Sequence, residues 1–541
     1  MGEAKPAGPL PTQAPPPVAV ARAPHVPQPS EQLPQLHFCI HSNPSWAITF
    51  LFAFQHYIVM LGSIVAISTI LVPQMGGDYK DKAKVIQTLL LVSGLNTLLQ
   101  TIIGTRLPTV MNPSFAFIVP VLSTIKDLQS QTFDNDHKRF IHTIRTVQGS
   151  MLVSSLVNIV IGYSRLWRNY ALFFTPLSMA PVVCVVGLGL FGRGFPELAK
   201  CVEVGLPMLI LLFLQQYLKR VNEKVHSWFQ RFGILFCIGV VWSFAAVLTA
   251  AGAYNEDGEK TKQHCRVDRS YLLTSADWIG IPYPFQWGAP TFSASHVFGM
   301  MGATLVSAVE STGTHYATAR LSGATPPPTE VITRSVGLQG VGMLIEGIFG
   351  ALVGSSASVE NTGLLSLTRV ASRRSVQIST AFMIFFSIFG KFGAFFASIP
   401  LPIFAAIYCV LFALVAGVGI SFVQFTNNNN LRNQYVVGIS LFLAISIPQY
   451  FNEFTTSAGH GPANTNAGWF NDILNSIFSS APAVAMVVAT VLDTTLLEGI
   501  SADDRGLGWW TRFQKMGADA RNDEFYSYPV PIRPFIPRRL F

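Results

Sequence analysis

Long apolar runs alternate with short polar connections through most of this chain. The runs are long enough, or nearly so, to cross the roughly 30 Å hydrocarbon core of a bilayer as helices. They begin near Trp46, Lys84, Leu107, Val147, Tyr170, Val202, Arg231, Val297, Ser335, Ala357, Val376, Leu401, Gln434 and Pro482. Fourteen such runs predict an all-α polytopic membrane protein with about fourteen transmembrane segments.

The third and tenth runs differ from the others, because Pro, Gly or Ser interrupts each of them before an apolar half-helix. The third covers 107–120 and contains Pro113, and the tenth covers 355–369 and follows Gly354. Each run is the third in a set of seven. Interrupted segments at corresponding positions of two halves indicate inverted 7+7 repeats with a site near the membrane midplane. Two ordinary kinked helices are the alternative.

Composition agrees with a membrane protein. Hydrophobic residues make up 50% of the 541 residues and charged residues 12%, whereas soluble domains carry about 25% charged residues. The net charge of +8 does not indicate nucleic-acid binding, because the basic residues lie in short loops between apolar runs. The six Cys residues show no metal-ligand spacing, and a disulfide framework is not expected. Cys184, Cys237 and Cys409 lie in apolar runs and are interpreted as packing residues.

The two ends have a different character from the middle of the chain. Residues 1–42 begin with a stretch rich in Pro, Ala and Gln, which predicts a disordered tail or a Pro-rich ligand for a partner domain. Residues 499–541 regain charged and aromatic residues and are interpreted as a second tail near the membrane surface. Loops after even-numbered segments hold most of the basic residues, while 451–470 holds no Lys or Arg. This asymmetry predicts that both ends are cytoplasmic.

Several polar residues lie inside the apolar runs, where an ionisable group is costly and usually functional. Glu310 lies far from both ends of the eighth run, and Glu360 lies at the start of the tenth. A structural carboxylate is the alternative for Glu310. Gln55 and His56 lie in the first run, where they could belong to the site or form an interhelical hydrogen bond. Lys391 and Asp493 are closer to run ends, which favours structural or snorkelling roles.

These groups define a candidate site. Glu310, Glu360, His56 and the starts of the two half-helices could converge on one cavity. Carboxylates accept N–H groups, half-helix amides meet carbonyl oxygens, and the Phe115 ring offers a stacking surface. A flat molecule with alternating N–H and C=O groups satisfies all three. A membrane-buried Glu is also a candidate for proton coupling.

At these residues the chain resembles the nucleobase–ascorbate transporters, and in particular their plant members. The family signature of the tenth segment is met by Glu360-Asn361-x-Gly363 and then Thr368-Arg369. The first-segment Gln-His motif is met by Gln55-His56. The resemblance also covers Gln55–Gly76, Tyr283–Ala289, Ser372–Val410 and Gln449–Asn452.

The resemblance implies an architecture and an activity. Segments 1–4 and 8–11 would form a substrate-carrying core, and segments 5–7 and 12–14 a gate through which a homodimer forms. The corresponding boundaries are 43–165 and 297–398 for the core, and 166–296 and 399–498 for the gate. The implied protein is no enzyme and uses no cofactor or metal. It would import a nucleobase across the plasma membrane by proton symport, through an elevator-like movement of the core.

The resemblance also implies roles for individual residues. The base would bind Glu310, Glu360 and Asn361 and meet the third-segment residues Ser114, Phe115 and Ala116. Gln55 and His56 would support the site, and Thr368 and Arg369 would affect specificity. Relatives that carry ascorbate have Pro at the Glu360 position, so Glu360 favours a nucleobase.

One position departs from the family, since several relatives have Asp or His where this chain has Thr314. That departure puts a proton relay at Thr314 in doubt. An anion transporter or channel of the same architecture remains an alternative, as does an ascorbate carrier. A membrane-embedded enzyme using Glu310 and Glu360 as acid and base is a third class. The sequence does not decide which base is carried.

Overall fold

The computed structural model describes residues 36–129, 131–218, 222–256, 258–267, 274–497 and 500–528. Most of the Pro-rich tail and the last part of the C-terminal tail lie outside these residues. Among the described helices, six are long and apolar enough to cross a membrane, or eight if two bent pairs each count as one span. The chain is therefore a multi-pass, mainly helical membrane protein, as its apolar runs predict.

The first half of the chain contains nine α-helices, counted within the described residues, and one short strand. They are α1 (Trp46–Met75), α2 (Tyr79–Ile102), β1 (Met111–Pro113), α3 (Ile118–Gln129), α4 (Asp136–Tyr163), α5 (Leu166–Ala171), α6 (Pro176–Leu188), α7 (Phe195–Leu198), α8 (Val202–Tyr217) and α9 (Glu223–Ala250). The 3₁₀ turns Phe115–Phe117, Phe191–Arg193 and Ala199–Cys201 precede α3, α7 and α8.

A short helix in the connection, α10 (Glu259–Cys265), leads to the second half. The elements that follow are α11 (Ala294–Leu321), α12 (Thr329–Phe349), β2 (Ser355–Ala357), α13 (Val359–Thr368), α14 (Arg373–Ile388), α15 (Gly390–Ala397), α16 (Leu401–Ser421), α17 (Leu431–Ala458), α18 (Gly468–Phe478), α19 (Ala481–Thr495), α20 (Leu507–Trp510) and α21 (Ala520–Tyr526). The 3₁₀ turns Phe422–Phe425 and Thr511–Phe513 follow α16 and α20. The bent pairs are α14–α15, at 106°, and α18–α19, at 86°.

Several helices begin before the apolar run that predicts them. The reason is a polar first turn closed by a side-chain cap, a common way to satisfy the free N–H groups of a helix start. Asp78 caps α2 by accepting from the backbone N–H of Asp81 at 2.8 Å. Asn135 caps α4 and Asn222 caps α9 in the same way. Hydrophobicity therefore locates the helices correctly but places these three starts too late.

Both interrupted segments are present, and their strands pair with each other. β1 and β2 run antiparallel, with Met111 opposite Ala357 and Pro113 opposite Ser355. All six strand residues are buried. The half-helices that follow, α3 and α13, have 12 and 10 residues. At about 1.5 Å per residue, each is about half as long as a membrane crossing requires.

Two groups of helices pack closely. In one, α12 lies against α4 and α14 lies against α1 and α2. The backbones of α4 and α12 approach so closely that a side chain at Gly162 would collide with Gly337. In the other group, α6 packs against α16 and α19, and α19 packs against α17. The half-helix α13 packs mainly on α16 and so lies between the two groups.

A disulfide joins Cys201, just before α8, to Cys265 at the end of α10. The sequence-based expectation of no disulfide is therefore wrong for this pair. The two cysteines are 64 residues apart, a separation that gives no recognisable motif. Glu203 lies near both sulfurs, but the bridge occupies them, so these residues do not form a metal site.

The C-terminal segment 500–528 packs tightly against the helices. The Trp509 ring stacks on Phe425 with centroids 3.8 Å apart. Near the end of the segment, the fully buried Tyr526 donates a hydroxyl hydrogen bond to the carbonyl oxygen of Thr325. The segment thus contacts both the 3₁₀ turn after α16 and the loop between α11 and α12.

Asp493 has the structural role that the sequence favours. Its side chain in α19 is 0% exposed and forms ion pairs with Arg432 at 2.7 Å and with Arg505 at 2.9 Å. A buried carboxylate with two guanidinium partners is compensated, as burial of a charge requires. Lys391 lies just after the bend into α15, with its ammonium 5.4 Å from the centroid of the Trp278 ring.

Candidate functional site

A cavity of about 420 Å³ lies where the two half-helices begin. Small-molecule sites commonly measure about 300–1,000 Å³. Its walls include the predicted residues Ser114, Phe115, Ala116, Glu310 and Glu360. Further polar lining comes from Asn112, Ser356, Ser358, Gln449, Asn452, Ser476, Ser479 and Ser480. The sequence therefore predicts correctly that two distant carboxylates and both half-helix starts lie together.

Glu310 projects from the middle of α11 towards the start of the third segment. The Ser114 hydroxyl donates to Oε2 of Glu310 at 2.9 Å. Ser114 also accepts from the backbone N–H of Ala116 at 3.2 Å, capping the 3₁₀ turn that leads into α3. One hydroxyl therefore fixes both the carboxylate and the turn that carries Phe115.

Glu360 lies in the first turn of α13, where the helix dipole favours a negative charge. Its Oε2 accepts from the Ser358 hydroxyl at 2.7 Å. Its Oε1 accepts from the Ser63 hydroxyl of α1 and, at 3.5 Å, from the Asn112 amide. The side chain is only 4% exposed. Glu360 thus joins three separate elements at the wall of the cavity.

Six predicted residues do not line this cavity as the structure describes it: Gln55, His56, Asn361, Thr314, Thr368 and Arg369. His56 Nδ1 and Asn361 Oδ1 form a hydrogen bond at 2.9 Å. The Asn361 amide donates in turn to the Ser358 hydroxyl at 3.0 Å. His56 and Asn361 therefore stabilise the start of α13 without lining the cavity. Gln55 points elsewhere and donates to the Arg231 carbonyl of α9 at 2.8 Å.

The remaining signature residues shape helices. The Thr314 hydroxyl donates to the Glu310 carbonyl at 2.8 Å, within the same helix. Thr368 does likewise to Leu364 at 2.7 Å. Arg369 ends α13 with a left-handed φ of 56°. Gly363 has a packing reason, because a Cβ there would collide with the backbone oxygen of Leu411 in α16.

The structure adds one buried carboxylate to the two that the sequence predicts at the site. Glu346 of α12 is 1% exposed. Its Oε1 accepts from the Asn96 amide at 2.6 Å, and its Oε2 accepts from the backbone N–H of Ser355 at 3.0 Å. It therefore anchors the first residue of β2. The criterion that selects Glu310, a carboxylate inside an apolar run, would also have found Glu346.

Two further residues near the site come from elements that carry no signature motif. The Tyr408 hydroxyl of α16 lies 3.1 Å from the Ser63 hydroxyl, next to the Glu360 contact. Arg193 lines the cavity from the 3₁₀ turn after α6, with its guanidinium carbon 4.7 Å from the Phe115 ring centroid. Arg193 lies between two apolar runs, where basic residues are common in loops and give no signal of a functional role.

A multi-pass helical protein with paired half-helices around a polar cavity has the construction of a membrane transporter. A permease family matches residues 47–453 of the chain. The chain therefore belongs to this permease family, and to its nucleobase–ascorbate transporters, as the relatives below establish. This is a family of transporters.

The relatives are plant proteins. Nucleobase-ascorbate transporter 3 of Arabidopsis thaliana is 59% identical, with 97% of this chain and 98% of the relative aligned. Nucleobase-ascorbate transporter 2 of the same plant is 54% identical, with 94% and 97% aligned. A solved structure of SLC26A9 has a TM-score of 0.41 and 13% identity, covering 72% of this chain and 62% of that one. That likeness is too distant to bear on function.

Proposed function

We propose that this protein imports a nucleobase by proton symport. The observation that carries the proposal is the presence of Glu310, Glu360 and the Phe115 ring on the wall of one cavity. Carboxylates accept the ring N–H groups of a base, and an aromatic ring stacks on its flat face. The names of the relatives, which join nucleobase and ascorbate, support the same substrate class.

The two carboxylates have different tasks in this proposal. Ser114 and Ser356 both form side-chain hydrogen bonds with Glu310. Glu310 is partly exposed to the cavity and offers the principal acceptor for the base. Glu360 is held by three donors of the protein and is nearly buried. It therefore contributes the rigid second edge of the site, and its identity sets which bases fit.

Proton coupling is supported by the lack of a direct cationic partner at either carboxylate. Within the described residues, neither Glu310 nor Glu360 forms an ion pair. A carboxylate at membrane depth without a cationic partner is costly when ionised. Taking up a proton relieves that cost, so protonation and substrate binding are linked at the same cavity. Thr314 bonds within its own helix and is not part of this step.

The proposed transport movement is an elevator-like displacement of a core, 43–165 and 297–398, against a gate, 166–296 and 399–498. Fourteen segments in two inverted sevens and a homodimer through the gate belong to the same proposal. The antiparallel pairing of the two half-helix strands supports the repeat. The packing of α4 with α12 and of α6 with α16 and α19 supports the division.

Both ends lie in the cytoplasm and the protein resides in the plasma membrane in this proposal. In that orientation, Cys201 and Cys265 face the outside. Disulfides persist in oxidising, extracytoplasmic environments, so their bridge supports the orientation.

The test is uptake of radiolabelled xanthine, uric acid, adenine, guanine and uracil into cells that lack their own carriers. Ascorbate belongs in the same panel, because the names of the relatives include it. We expect uptake of at least one base above the empty-vector level. Uptake of ascorbate or of inorganic anions with no base transported would replace the proposal by one of its alternatives.

A further inference from the structure

Arg193 is a cation at the wall of the cavity, and the carboxylate of Glu197 acts on it electrostatically without a direct ion pair. Among the described residues, its guanidinium forms no ion pair and no hydrogen bond. Its contact is the face of the Phe115 ring, 4.7 Å from centroid to guanidinium carbon. The turn that carries it is fixed by the hydrogen bond from its own backbone N–H to Leu190 at 2.8 Å. Five N–H donors are thus held beside the aromatic surface of the site.

Arg193 and Phe115 also stand between two cavities. Both residues line the main cavity and a second one of about 70 Å³. The second cavity is further lined by Lys200, Glu197 and Tyr408. It is too small for a base, and Lys200 in it is already paired with Glu197 at 2.7 Å. Arg193 at this junction therefore has no direct hydrogen-bond or ion-pair partner among the described residues, although Glu197 acts on it electrostatically.

The main cavity offers acceptors and donors from different elements. Glu310 and Glu360 accept, and they come from α11 and α13. Arg193 donates, and it comes from the turn after α6. A ligand that stacks on the covered face of Phe115 must move the guanidinium to the edge of the ring, where its N–H groups meet the rim of the ligand. The planar fork of Arg suits oxygen acceptors in particular.

We propose, resting on the proposed function, that Arg193 is a specificity-determining residue that donates to an exocyclic oxygen of the base stacked on Phe115. The carried class is then the oxo-bases, such as xanthine, uric acid, guanine and uracil. Adenine presents an amino group in place of a carbonyl oxygen, and a donor facing a guanidinium loses the contact. Arg193 therefore selects by oxygen, while the carboxylates select by N–H groups.

The experiment compares wild type, R193M and R193K by inhibition constants of xanthine, uracil and adenine in an uptake assay. R193M should weaken the binding of xanthine and uracil by about 10- to 150-fold, the range for a lost hydrogen bond to a charged group. The inhibition constant of adenine should change by much less, so the difference in affinity between the oxo-bases and adenine becomes smaller. R193K keeps a charge but not the fork and should fall between wild type and R193M.

K138M is the control, since Lys138 is exposed and lines neither cavity, and it should leave the ratio of inhibition constants unchanged. Surface biotinylation corrects each value for protein amount. If R193M does not reach the surface, the ratio in R193K decides the matter. An equal effect of R193M on adenine and xanthine, or none on either, would overturn the role of Arg193 while base transport stands. A wild-type protein that carries no base would instead overturn the proposed function.

Discussion

Replacement of Glu310 by Gln tests the site most directly, because it exchanges one oxygen for an NH₂ group at nearly constant volume. The structure shows what remains. The Ser114 hydroxyl, 2.9 Å from Oε2, can donate equally well to the amide oxygen of Gln. The contact to the third segment therefore survives, and the fold has no reason to fail. What changes is the atom offered to the base, where a donor now faces a donor.

The expected loss follows from that geometry. A hydrogen bond to a charged group is worth about 1.5–3 kcal/mol, and each 1.4 kcal/mol is about tenfold in affinity. E310Q should thus lower the apparent affinity for the base by roughly 10- to 150-fold and nearly eliminate uptake at low substrate concentration. Ser114→Ala is the comparison, because it keeps the carboxylate and removes the bond to Glu310 together with the cap of the turn that carries Phe115, each worth about 1 kcal/mol.

The assay is initial-rate uptake over a range of base concentrations in cells without endogenous carriers. Surface protein is quantified for wild type, E310Q and S114A. The assignment of Glu310 to the substrate would be refuted if E310Q reaches the normal surface level and takes up base with wild-type affinity and rate. A loss in S114A as large as that in E310Q would indicate that the helix start, and not the carboxylate charge, carries the effect.

Three other perturbations address neighbouring features. Glu360→Gln should shift the relative affinities of bases without abolishing transport, since the Ser63 and Ser358 hydroxyls can rotate to accept from the new amide; superimposable competition profiles would contradict this. The rate of base uptake should rise at acidic external pH, fall sharply with a protonophore and stay unchanged when sodium is replaced. Uptake that persists in the presence of the protonophore would exclude proton coupling. Glu346→Ala should destabilise the protein by about 1–3 kcal/mol for each buried donor left unpaired. The measurement is a lower melting temperature in detergent, with the exposed Glu453→Ala as the control. An unchanged melting temperature would show that β2 does not depend on Glu346.

The sequence predicts this fold well where hydrophobicity alone decides the structure. The run beginning at Trp46 and that beginning at Leu401 start where their helices start. The half-helices are recognisable because Pro, Gly and Ser interrupt apolar runs. Helix ends built on polar caps are missed, since a capped polar turn has the composition of a loop. The C-terminal segment is missed for a related reason, because its contacts join residues that are far apart in the chain.

The residues of the site also fall into those that the sequence predicts and those that it does not. Glu310 and Glu360 are found because an ionisable residue inside an apolar run is conspicuous in one dimension. Their partner Ser63 is not, since a single hydroxyl in a membrane helix is common and its contact spans 297 residues. Arg193 is hidden by its position between runs. His56 is conspicuous, yet its hydrogen bond to Asn361 makes it a support of the helix start and not part of the cavity wall.

The backbone pairing of β1 with β2 has a consequence for directionality. The ladder joins the strand that ends just before Ser114 to the strand that ends at Ala357, three residues before Glu360. The two halves of the site therefore cannot separate without breaking buried main-chain hydrogen bonds. In the proposed elevator-like movement, a site joined in this way would move as one unit and would not be rebuilt on each side of the membrane. The rank order of bases measured for efflux or exchange should then equal the rank order for influx. Any preference for inward transport must come from the driving gradient.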